Sequence, residues 1–128
     1  MIKAFITTKR KEPSPVSKIH VKPLTAITLI AIEENIIVRL GHSTILMKFN
    51  GKFVLIDPVF SEHAFPAQWA GSKCFHQAPI SIADLPQIDV VIISHDHYDH
   101  LDKAAIKEIN HKVKLFIVPL GVDEYLKE

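Results

Sequence analysis

The chain has 128 residues and a mass of 14.4 kDa, the size of one domain or part of one. Its composition, 48% hydrophobic and 23% charged, excludes a disordered, collagen-like or coiled-coil protein. Lys+Arg number 15 against Asp+Glu 14, so no global field steers nucleic acid or anionic lipid; the single cysteine, Cys74, excludes an intrachain disulfide and points to a reducing, cytoplasmic compartment.

Residues 1–23 read as an extended leader, because Pro13, Pro15 and Pro23 disfavour helix and no apolar period is sustained. The basic triplet Lys9, Arg10 and Lys11 is followed by prolines where a signal peptide needs an apolar run. It reads as a solvated tail rather than a lipid or nucleic-acid patch. The later stretch Leu24–Ile32 ends at Glu33-Glu34, far short of the ~20 apolar residues that span a bilayer. No transmembrane segment is expected, and peripheral membrane contact stays open.

Ile27–Ile32 and Ile36–Leu40 are β-branched runs separated by Glu33-Glu34-Asn35, which predicts two strands joined by a tight turn. Thr44–Phe49 and Lys52–Ile56 flank Asn50-Gly51, a hairpin signal because both turn residues tolerate positive φ. The first half is therefore expected to be a mostly antiparallel meander ending at Asp57-Pro58. Val59–Pro86 is a long irregular segment, of a length that is uncommon inside compact domains and often functional. Ile88–Ser94 reads as a strand buried on both faces. Asp102 is placed to cap a helix running to about Asn110, Lys114–Pro119 reads as another buried strand, and Gly121–Glu128 starts a further helix. This β-α-β-α order predicts parallel pairing with a helical crossover.

Eight histidines occur in the chain, three of them between His95 and His100. The segment Ser94-His95-Asp96-His97-Tyr98-Asp99-His100-Leu101-Asp102 crowds seven ionisable side chains into a loop at the end of a buried strand. Such crowding is costly without a cation or solvent to compensate it. His95 and His97, two apart, can grip one ion, while Asp99 and His100 can turn towards a second. Imidazole and carboxylate suit Zn²⁺, with Fe or Mn as alternatives, and strand ends are where α/β sheets gather ligands.

The pattern His95-x-His97-x-Asp99-His100 after a hydrophobic strand resembles the HxHxDH signature of the metallo-β-lactamase fold superfamily. Leu40-Gly41-His42-Ser43-Thr44, Ile56-Asp57-Pro58-Val59-Phe60-Ser61, Gln68-Trp69-Ala70-Gly71, Ala78-Pro79-Ile80-Ser81 and Phe116-Ile117-Val118-Pro119-Leu120-Gly121 are similar to one branch of it. That branch includes N-acyl-phosphatidylethanolamine-hydrolysing phospholipase D and bacterial relatives. The resemblance covers about residues 36–126 and implies an α/β fold, the αβ/βα sandwich, of which residues 24–128 would be the N-terminal αβ half.

By that resemblance, His95 and His97 hold one zinc, and Asp99 and His100 hold the second. Asp57 stands behind the metals and orients a ligand imidazole, against the alternative of an ordinary strand-end Asp that caps a turn. Tyr98 either faces the substrate or is a packed aromatic. His42 either lines the site or is a structurally hydrogen-bonded histidine. Asp102 reads as a helix cap and Cys74 as a free thiol. Trp69 belongs to the long loop's own small core, with a lipid contact as the weaker reading.

Relatives carry a second αβ half with further metal ligands, and nothing after His100 here resembles those motifs. The expectation is thus the N-terminal part of a zinc-dependent hydrolase. A metal-bound hydroxide would attack a phosphodiester, as in phospholipase D, or a related ester, the substrate being a small molecule or lipid and not nucleic acid. The one-sided sheet would expose an apolar face, so the missing half or self-association is expected to cover it. The alternative is a truncated, non-catalytic remnant, or a metal-binding half that needs a partner chain.

Overall fold

A computed structural model describes residues 17, 19–62 and 74–126. Most of the expected leader, and the Gln68-Trp69-Ala70-Gly71 segment, lie outside the described residues. Five strands form one mixed sheet in the order β1-β2-β3-β4-β5: β1 (Ile36–Arg39), β2 (Ile45–Phe49), β3 (Lys52–Ile56), β4 (Ile88–Ile92) and β5 (Val113–Ile117). The first three pair antiparallel. The hairpin between β2 and β3 turns through Asn50 and Gly51, at φ 48 and 73, as the Asn-Gly dipeptide demands. β4 lies parallel to β3, and β5 parallel to β4. The helical crossover between β4 and β5 is α2 (Lys103–Ile109).

The expected strand at Ile27–Ile32 is instead a helix, α1 (Ala26–Ala31). A short apolar run cannot by itself separate strand from buried helix, and here the caps decide. The Thr25 hydroxyl accepts from the Thr28 N–H, and the Thr28 hydroxyl accepts from the Thr25 N–H, a reciprocal box at the N-terminus. At the other end the Lys48 ammonium, buried on β2, donates to the carbonyls of Leu29, Ile30 and Ile32. It thereby satisfies acceptors that a helix C-terminus leaves open. Only Leu29 of α1 is buried, while Ile27 is 80% exposed.

Strand alternation divides the sheet into two unlike faces. Leu46, Phe53, Leu55 and Val91 point to one side, where they join Leu29, Ile82, Leu85, Ala105, Ile106, Ile109 and Val122 in a single buried core. On the other side, register aligns Ile37, Met47, Val54, Val90 and Leu115 in one row across all five strands. Ile45, Ile56, Ile92 and Ile117 form the next row. None of these nine side chains is buried. The expectation that the strands of Ile88–Ser94 and Lys114–Pro119 are buried is therefore corrected. Val90 and Ile92 are half-buried, and Leu115 and Ile117, on the edge strand β5, are exposed. The continuous apolar runs that suggested burial are real, but on the second face described residues fully bury only Ile88 among the strand side chains.

After β5 the chain turns at Gly121, φ 87, a left-handed position that glycine adopts without strain. It then enters α3 (Asp123–Leu126), as expected for the last segment.

Candidate metal centre

The site forms where the C-terminal ends of the parallel strands β3 and β4 meet. Asp57 follows β3 directly, is only 4% exposed, and has φ 45. A non-glycine residue in that region is strained and needs surrounding contacts to hold it. Thr44 supplies them from the loop before β2. Its buried hydroxyl donates to the Asp57 carbonyl (2.8 Å) and accepts from the Val59 N–H (3.0 Å). The Asp57 N–H donates to the Ile92 carbonyl, tying the turn to β4.

So positioned, the Asp57 carboxylate organises the segment after β4. Oδ1 accepts from the Ser94 N–H (2.7 Å), and Oδ2 accepts from the Ser94 hydroxyl (2.7 Å) and from His100 Nδ1 (2.8 Å). An ionised carboxylate has no proton to give, so His100 carries its proton on Nδ1 and presents the Nε2 lone pair outward. The same reasoning reaches His95. The Ser94 hydroxyl has one proton and spends it on Asp57, so at 2.9 Å it accepts from His95 Nδ1. His95 thus also presents Nε2. The Asp57 carboxylate thus reaches across to β4 and the histidine loop.

The histidine segment closes on itself through the His97 carbonyl, which accepts from the N–H groups of His100 (2.9 Å) and Leu101 (2.7 Å). This turn gathers the rings, His95 meeting His97 edge-on and His100 at a tilt. The His95 centroid lies 3.9 Å from that of His100 and 4.7 Å from that of His97. Asp102 then caps α2 as expected, Oδ1 accepting from the Ala105 N–H, while its Oδ2 accepts from the N–H groups of Phe60 and Ser61. One carboxylate therefore starts the helix and pins the head of the long loop.

Two donor groups result, each with ligand atoms within 4.8 Å of one another: His95, His97 and Asp99, and His42, Asp99 and His100. The expected ligands His95, His97, Asp99 and His100 are thus brought together, with Asp99 common to both groups. Neutral imidazole nitrogens and a carboxylate are the donor set that zinc, iron or manganese takes, so the residues fit such a cation. Tyr98 is 55% exposed beside the cluster. Cys74 is a free thiol, as expected, with Sγ 3.7 Å from the Ser61 carbonyl. Burial, and after it the charges of Asp102 and Glu62, push that thiol up from its ordinary value, which disfavours a thiolate ligand.

Sequence reasoning left His42 open and did not single out Ser43, Thr44 or Ser94. His42 Nε2 stands 3.5 Å from Asp99 Oδ2, and the Ser43 hydroxyl donates to the Asp99 carbonyl. The available signal was the Gly41-His42-Ser43-Thr44 segment itself, in which three successive side chains serve the site.

Fold and site together define an α/β protein with a strand-end cluster of His and Asp side chains that could hold a metal ion. The beta-lactamase superfamily domain matches residues 52–128, and the chain belongs to that superfamily. An N-acyl-phosphatidylethanolamine-hydrolyzing phospholipase D of Caenorhabditis elegans is 42% identical over 91 residues, 69% of this chain and 25% of that protein. A UPF0173 metal-dependent hydrolase of Saccharolobus solfataricus is 33% identical over 79 residues, 60% of this chain and 30% of that protein. The crystal structure of an isothiocyanate hydrolase from Delia radicum gut bacteria superposes with a TM-score of 0.54 at 26% identity, over 70% of this chain and 36% of that one. The chain is therefore of the metallo-β-lactamase fold. It spans about a quarter of the length of the curated relatives that it matches at more than 40% identity.

Proposed function

We propose that this chain is the N-terminal part of a zinc-dependent hydrolase that opens a phosphodiester, in the manner of a phospholipase D, or a related ester. The observation that carries the proposal is the Asp57 carboxylate, which with Ser94 turns both His95 and His100 to present Nε2 at one strand-end crevice. His95 and His97 would hold one ion, Asp99 and His100 the other, and Asp57 keeps the His100 ring in its ligating orientation. When bound, the cations lower the pKa of water and stabilise the negative charge that develops on the ester oxygens. Tyr98, exposed at the rim, contacts the substrate. The similarity to the phospholipase D relative supports a small-molecule or lipid ester, and the balanced charge gives no support to nucleic acid.

No helix among the described residues is long and apolar enough to cross a membrane; the lone cysteine supports a cytoplasmic protein, one in peripheral contact with membranes. Residues 1–23 serve as a leader, and 24–128 as one αβ half whose open sheet face is covered by a second half. Replacing His95 or His97 with Ala in the full-length enzyme abolishes hydrolysis while circular dichroism stays unchanged. Full turnover in either variant refutes the assignment.

One observation favours a second reading: the open face is apolar across all five strands, as in a non-catalytic remnant or a metal-binding half completed by a partner chain. Native mass spectrometry with elemental analysis separates the two. A mass near 14.4 kDa with little zinc supports the second reading, and a larger chain holding two metals supports the first.

A further inference from the structure

We propose that His42 is a direct protein ligand of the second ion, completing a three-residue site with Asp99 and His100. The inference rests on reading the histidine cluster as a metal centre, and adds a ligand from a different part of the chain. With Asp99 and His100, His42 would give the second ion three protein ligands, the number that catalytic zinc usually has.

The geometry fits ligation. Ligand bonds of about 2.0–2.1 Å in a tetrahedron put neighbouring donor atoms about 3.4 Å apart. Asp99 Oδ2 lies 3.5 Å from His42 Nε2 and 3.9 Å from His100 Nε2, so it sits between two imidazole nitrogens at nearly the spacing of such a tetrahedron. His100 Nδ1 is committed to Asp57, which leaves Nε2, the atom facing Asp99, as its ligating nitrogen. The backbone under His42 is held independently of any ion. Arg39 Nε donates to the Gly41 carbonyl (2.9 Å) and Nη2 to the His42 carbonyl (3.1 Å), while the adjacent Ser43 hydroxyl donates to the Asp99 carbonyl. The loop carrying His42 is thus latched to the turn carrying Asp99. The His42 side chain itself is 63% exposed, so it contributes little to the core and is open to solvent and ions.

The test is metal stoichiometry of the 128-residue chain. Zn²⁺ is titrated against a chromophoric chelator, and Co²⁺ is followed by its visible spectrum, for the natural sequence, His42→Ala, His42→Gln and His95→Ala, with circular dichroism to confirm folding. The proposal expects two equivalents for the natural sequence. It expects one equivalent weakened about tenfold or more by either substitution at His42, with the other equivalent retained and removed by His95→Ala. Glutamine keeps a hydrogen-bond donor for Asp99 but no imidazole. Binding restored by His42→Gln therefore makes His42 a hydrogen-bonding residue and overturns the proposal, as do two undiminished equivalents in His42→Ala or loss of both. Absence of binding by the natural sequence overturns the proposal, which has His42, Asp99 and His100 hold an ion from within this chain; the metal reading of the cluster is tested separately by the His95 and His97 variants of the full-length enzyme. Unaltered binding in the His42 variants alone refutes only the ligand assignment.

Discussion

The parallel strands carry a carboxylate network at each end, and the two are built on opposite principles. At their N-terminal ends Asp89 accepts from the Phe53 N–H (2.9 Å) and pairs with the ammonium groups of Lys114 (2.8 Å) and Lys52 (3.5 Å). The lysines and the N–H hold its carboxyl down at about 2, and the charge is cancelled within the chain. At their C-terminal ends Asp57 accepts from Ser94 and His100, and these contacts leave imidazole lone pairs and the Asp99 carboxylate facing one another. One end is electrostatically closed by lysines, and the other gathers imidazole and carboxylate donors towards one another. That asymmetry follows the general rule that ligands gather at the C-terminal ends of parallel strands, and it separates a carboxylate that clamps the sheet from one that arranges a site.

Substitutions at the two aspartates should therefore diverge. Asp57→Asn leaves an amide where three donors point, and so should lower zinc affinity about 10–100-fold. Through its buried contacts it should also lower stability by about 2–3 kcal/mol, both measured on one preparation by metal titration and urea unfolding. Asp89→Asn should cost about 1 kcal/mol in the same unfolding experiment and leave zinc affinity unchanged. A shared loss of affinity would erase the distinction drawn between the two ends.

Acid should expose the difference in another way. The Asp89 carboxyl is lowered from an ordinary value near 3.9 to about 2 in the folded chain. Its contribution is complete above pH ~4 and is lost as the pH falls from there towards the folded value. Unfolding midpoints measured across that window should fall less steeply for Asp89→Asn than for the natural sequence. The smallest effect is expected for Lys114→Ala. Its exposed ammonium pair is worth about 0–1 kcal/mol, and 0.5 M salt should shrink the difference further.

Much of the site was readable because its signal is local. His95, His97, Asp99 and His100 lie within six residues, and the strand before them and the Asp102 cap after them fix where the loop must sit. The Asn50-Gly51 turn was legible for the same reason. What escaped depends on contacts distant in sequence. Ser43 and Asp99 are 56 residues apart, so no spacing rule places His42 beside the cluster. The helix at Ala26–Ala31 was misread as a strand because Ile27–Ile32 is merely apolar and β-branched. Its identity is settled by the Thr25–Thr28 box and by Lys48, which arrives from β2. The burial of β4 and β5 was overestimated because an apolar run records what a face can bury, not what covers it.

On the proposed reading, Asp57 and Ser94 set the histidines of the strand-end cluster to receive metal through Nε2. Crystals of the chain grown with zinc, with anomalous differences recorded at the zinc edge, test it directly. Zinc peaks are expected within bonding distance of Nε2 of His95 and of His100, with Asp57 still bound to His100 Nδ1. Peaks at Nδ1 of either histidine, or none in the cluster, would contradict it.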